Sequence, residues 1–289
     1  MMVRIRLLSV AVLAVALLAT SSSFAAKKSG AITQLKLDPE APVVELFAGM
    51  ESGQLESKLI MKDQFNGSVL IENKTDGPLT VQMPDSFVGV HVLNQFGGGG
   101  GGFGGGGLGG GQQGGGGQTA GGGAGGGGLG GGGLGGGGLG GGGGGFFSIP
   151  PEKVVRLPFN SVCLEHGKPT PRPRMTYEIR KVDEFSQDPL LRELLVMIST
   201  GRVSQKAGQA AAWHLANGKS WQELAAIADN HVGRPDSPHF SYADLQSAQA
   251  LLANAKVRAE QRKEREAAEP KPAEPAPVRG RTGRVVSQR

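Results

Sequence analysis

Apolar and polar residues alternate with period two in four stretches of the chain. Leu79, Val81 and Met83 form the first, and Val88, Val90 and Val92 the second. Val155, Leu157 and Phe159 form the third, and Met175, Tyr177 and Ile179 the fourth. Such alternation puts one face of a strand in a core and the other in water. Val69 and Ile71 add a short apolar run after Asn66-Gly67. Between that run and the first alternating stretch lies Thr75-Asp76-Gly77-Pro78, a turn signal that predicts a hairpin. Short strands punctuated by turn residues predict a small antiparallel β-sandwich.

Beyond Asp183 the period becomes helical. Leu190, Leu191, Leu194, Leu195 and Ile198 share one helical face behind Asp188-Pro189, and Gly201 stands where a C-cap belongs. Ser204 is placed to cap a second helix ending at Asn217-Gly218. Ser220-Trp221-Gln222-Glu223 and Ser241-Tyr242-Ala243-Asp244 read as capping boxes of a third and a fourth. The fourth carries an apolar stripe of Leu245, Ala248, Leu252 and Ala255. From Arg258 onward it turns to charge and alanine, which predicts an exposed helical end. Pro270 and Pro272 stop it, and the remainder is Pro-rich and basic.

One composition shift interrupts the β pattern. From Gly97 to Gly145 the chain is nearly all glycine, without a charge, and Leu129, Leu134 and Leu139 recur at a spacing of five. Glycine loses the most backbone entropy on ordering and brings no side chain to offset it, so this tract predicts a disordered loop inside the sandwich. Loop closure cost rises only with the logarithm of length, so a sandwich tolerates the insertion. Self-association through the spaced leucines is the sharper alternative.

The start of the chain changes the compartment. Arg4 and Arg6 precede an apolar run from Leu7 to Thr20, and Ser23-Phe24-Ala25 has the small-x-small pattern of a signal peptidase site. This reads as a signal peptide cleaved near Ala25, and as a periplasmic or extracellular protein with no membrane span after cleavage. Loss of Arg4 and Arg6 lowers the formal charge from +5 to +3. So mild an excess does not argue for nucleic acid. The expected partner is another protein or an envelope polymer, which Arg279, Arg281, Arg284 and Arg289 of the tail could touch.

The candidate chemistry centres on Cys163, the one cysteine, which excludes a disulfide within one chain. The five histidines form no His-x-x-x-His or zinc-binding pattern, so no metal or cofactor is expected. His166 lies three residues after Cys163, the arrangement a cysteine hydrolase would need if the imidazole reached the sulfur. The stretch Gln209-Ala210-Ala211-Ala212-Trp213 resembles the Gln-x-Ala-x-Trp motif of bacterial surface thioester domains. The resemblance implies an internal bond between the side chains of Cys163 and Gln209 that captures amines. Without it, Gln209 reads as a helix-surface amide and Cys163 as a small buried hydrophobe.

The expected organisation is α+β. It comprises a signal peptide (1–25), a β-sandwich (35–182) with a disordered Gly-rich insertion (97–145), a helical module (186–256), an exposed charged helix (257–269) and a disordered basic tail (270–289). The expected function is a non-enzymatic envelope or secreted protein that works by contact. Covalent capture through Cys163 and Gln209, and hydrolysis through Cys163 and His166, are the alternatives.

Overall fold

The alternating stretches become strands, but their closure differs from a sandwich. The computed structural model describes residues 30–92, 117–124 and 145–268. The signal segment with its site near Ala25, most of the Gly-rich tract and the basic tail lie outside them. The described strands are β1 (Val43–Glu45), β2 (Leu55–Met61), β3 (Asn66–Asn73), β4 (Leu79–Gln82), β5 (Phe87–His91), β6 (Ala120–Gly123), β7 (Phe146–Ile149), β8 (Val154–Cys163) and β9 (Tyr177–Arg180), with two short ones further on. Six of them close in the order β2-β3-β8-β6-β5-β9. Every neighbouring pair is antiparallel, and β9 returns to β2 through Leu59 opposite Tyr177. The sheet expected as a sandwich is therefore a barrel. A barrel removes the exposed edges that an open sheet leaves.

The hairpin expected across Thr75–Pro78 does not form. The turn is present, but β3 pairs with β2 and β8, while β4 leaves the barrel and pairs with β1 and β7. Asn73 causes the exit. Its buried Nδ2 donates to the carbonyls of Gly77, Ile149 and Pro150, and its Oδ1 accepts from the Thr75 backbone. One side chain thus fixes the turn and ties it to the start of the next sheet.

The Gly-rich tract supplies β6, so within the described residues this part of the expected disordered insertion is a wall strand. The absent side chains are what the position demands. A Cβ on Gly121 would stand 2.8 Å from Leu164 Cδ1 and from Leu195 Cδ2, and one on Gly122 would stand 1.9 Å from the Asn160 carbonyl oxygen. Glycine lets a helix lie directly on the strand backbone.

That helix is α3 (Pro189–Ser199), which follows the one-turn helices α1 (Leu46–Glu51) and α2 (Val182–Phe185). Asp188 caps it with Pro189 in its first turn, and Gly201 at φ 70° follows its end. Next come α4 (Gln205–Asn217), with Ser204 as cap and Gly218 at φ 64°, and α5 (Trp221–Ala225), which carries the expected capping box. The short pair β10 (Ala228–Asp229) and β11 (Ser237–Pro238) leads to α6 (Tyr242–Ala268). The charged end of α6 is continuous with its apolar half. Most of it is exposed, but Arg258 and Arg262 reach Glu193 of α3, whose side chain is 2 % exposed, and Arg262 also reaches Asp85.

The chain buries two cores. The barrel interior holds Leu59, Val69, Ile71, Phe87, Leu157, Phe159 and Tyr177, and extends under the β1-β4-β7 sheet. The second lies between the outer barrel wall and the helices, where Val88, Val162 and Leu164 meet Leu194, Leu195, Ala210 and Trp213. Among the described residues no helix is long and apolar enough to cross a membrane.

Candidate functional site

β8 feeds both cores by alternation, and Cys163 is its last residue, at the junction between them. On one side β6 runs alongside, with Ala120 opposite Cys163. On the other side β3 has already stopped, its first residue Asn66 standing opposite Asn160. The N–H and C=O of Cys163 would therefore be orphaned in a dry interior, an arrangement that proteins avoid.

Gln209 takes them both. Its Oε1 accepts from the Cys163 N–H at 2.9 Å, and its Nε2 donates to the Cys163 carbonyl at 2.7 Å. The side-chain amide acts as one residue of a neighbouring strand. Gln209 reaches this point because it lies on the inner face of α4, where Ala207, Ala210 and Ala211 are small enough for the helix to approach the barrel wall. Cys163 is 0 % exposed and Gln209 is 1 % exposed. The structure thus brings together the two residues that the sequence motif pairs.

Burial decides the state of the sulfur. It pushes the Cys163 thiol up to about 12, and the carboxylate of Asp63 adds to the shift. Burial thus favours the thiol over the thiolate.

His166 is placed elsewhere. Its backbone N–H donates to Asn217 Oδ1, and its ring packs edge-on against Trp213 with centroids 4.5 Å apart. Burial, then Lys219 and His239, hold its imidazole below the usual range. The pairing with Cys163 that a cysteine hydrolase needs is not among the described contacts. The loop leaves β8 toward α4 before His166 is reached, and this aims the ring at Trp213.

Around Cys163 the barrel end is lined by residues for which the sequence reading had no role. Tyr177 donates its hydroxyl to the Gln118 carbonyl, and burial, with Cys163 and Glu165 nearby, drives its phenol well above the usual range. Burial works against ionising Glu165. Lys168 and the backbone and hydroxyl donors of Thr119 outweigh it and hold the carboxyl below the usual range. Gln118 and Thr119 come from the Gly-rich tract. The signal for them was in the chain, since Gln118-Thr119-Ala120 is the one place in the tract where three residues in a row are not glycine.

Among the described residues no group of three or more histidines, cysteines or carboxylates is placed to hold a metal ion. No protein-family model, no curated protein and no solved structure matches the chain.

Proposed function

We propose that this is an exported surface protein that captures amines covalently through a thioester between Cys163 and Gln209. The observation that carries the reading is the grip of the Cys163 backbone on the Gln209 amide, at 2.9 and 2.7 Å in a water-excluded junction. The Cys163 N–H points at the oxygen on which charge develops when sulfur attacks Cδ, so one oxyanion donor is already in place. In the bond-forming step the Sγ–Cδ bond forms, the Cδ–Nε2 bond breaks, and the thiol proton leaves with the nitrogen as ammonia. The hydrogen bond from Nε2 is given up and the one to Oε1 is kept. Burial then keeps water off the acyl carbon until a stronger nucleophile arrives.

The test is a peptide map of mature protein treated with methylamine and then with a thiol probe under native conditions. The proposal expects a methylamide at Gln209 and a newly labelled Cys163 in the same molecules. An unmodified Gln209 amide with a hidden Cys163 thiol would overturn it.

The same two hydrogen bonds favour a second reading, in which the exported protein works by non-covalent contact and Gln209 continues the β3 side of the sheet past its end. In that case the Gln209 amide stays intact and replacing it affects stability alone.

A further inference from the structure

The turn that leads into β3 stays in contact with β8 beyond the last paired residues, Asn66 and Asn160. The Phe65 carbonyl takes the Ser161 N–H at 2.8 Å, and the Gln64 carbonyl takes the Ser161 hydroxyl at 3.2 Å. The turn therefore lies on the β3 side of β8, within two residues of Cys163. Gln209 fills this same side at Cys163 itself. The turn and the Gln209 amide are thus neighbours along one flank of the strand.

Asp63 gives the turn a negative charge. Its Oδ1 accepts from the backbone N–H groups of Phe65 and Asn66 at 2.7 and 2.9 Å, which shapes the turn without neutralising the carboxylate. Among the described residues no lysine, arginine or histidine forms an ion pair with it. Glu165, the acid closest in sequence to Cys163, differs, because Lys168 pairs with it. The Asp63 charge also reaches the sulfur. Among the described residues it is the one charged group that acts on the Cys163 thiol, and it acts against ionisation. A field that works against negative charge at Sγ favours positive charge there.

We propose that Asp63 sets the substrate class of this site, favouring primary amines that carry a further positive charge over amines that carry a carboxylate. A diamine, or a lysine beside other lysines on a partner, has that chemistry. This inference rests on the thioester reading for its consequence. The attacking nitrogen is neutral, having lost a proton to solvent, so the second charge is what the carboxylate acts on. In the transfer step a C–N bond forms at Gln209 Cδ, the Cδ–Sγ bond breaks, and one amine proton passes to sulfur. The products are a substituted amide at Gln209 and the free Cys163 thiol. Asp63 acts through its charge and makes no bond.

The test compares uptake of ethylenediamine, ethylamine and glycine at equal concentrations of neutral amino nitrogen and low salt. In wild type, ethylenediamine should exceed ethylamine by about tenfold, and glycine should fall below it by about as much. Asp63→Asn keeps an oxygen for the Phe65 and Asn66 N–H groups, so the turn is retained while the charge is lost. That variant should still reach the thioester mass and take up the three amines within about twofold of one another. Equal uptake in wild type, or an order that Asp63→Asn leaves unchanged, overturns the inference and leaves the thioester standing. A wild type of full mass overturns the thioester, and its free thiol then serves as the probe. Two methanethiosulfonates, one bearing a trimethylammonium group and one a sulfonate, replace the amines. Faster labelling by the cationic reagent, with the difference lost in Asp63→Asn, leaves the role of Asp63 standing. Equal labelling, no labelling, or a difference that persists in Asp63→Asn overturns it as well.

Discussion

A single side chain, Gln209, sets the geometry of the candidate site, because its amide replaces a missing strand residue for Cys163. Gln209→Leu would leave a buried N–H and a buried C=O unpaired. It should lower the unfolding free energy by about 2–4 kcal/mol in urea denaturation, from an unmade bond at each group. The thiol provides a second test. Where it is free, folding raises its pKa from 9.0 to about 12, so the folded state keeps a proton that the unfolded state loses. That contribution is fully present below pH 9 and is lost as pH rises from 9 toward 12. The stability difference between wild type and Cys163→Ala should therefore shrink over this range if the thiol is free, and stay flat if it is acylated. Urea midpoints for both proteins measured from pH 8 to 11 check this. His166→Ala should leave methylamine uptake within about twofold of wild type, since its ring packs on Trp213. Loss of uptake in that variant would restore His166 as a partner of Cys163.

At the scale of elements, β6 is the least expected feature. Gly121→Val puts carbon against Leu164 and Leu195, and α3 must lift from the wall. Overpacking of this kind costs about 1–3 kcal/mol, which thermal unfolding would show as a lowered midpoint. The α3–α6 contact gives a converse case. Glu193→Ala leaves Arg262 with Asp85 alone and leaves the partly exposed Arg258 without this carboxylate, so the loss should fall below the about 3–5 kcal/mol of a fully buried pair. Amide exchange over residues 256–268 should quicken in that variant while exchange in the barrel strands stays as in wild type. The alternating strands and the capped helices were legible because side-chain period and cap chemistry are local. The closure of the barrel was not, since Leu59 and Tyr177 meet across a long chain separation that no local pattern encodes. The strand at Ala120–Gly123 was hidden for another reason. Gly121 and Gly123 leave room for α3 and Gly122 for the β8 backbone at Asn160, and the same composition on its own reads as coil.

Taken whole, the molecule places its candidate chemistry where the barrel and the helical layer meet. Cys163 ends a barrel strand and Gln209 belongs to a helix, so the site forms only when both cores are assembled. Cys163 and Gln209 could be singled out from sequence because the chain has one cysteine and one matching glutamine motif. The intact mass of the mature protein under native conditions, set against that of its Cys163→Ala variant, tests the central claim most directly. The account predicts that wild type, once the substitution itself is corrected for, is lighter by one ammonia and offers no thiol to a probe. A wild type carrying the full mass of its sequence, with an intact Gln209 amide, would contradict it.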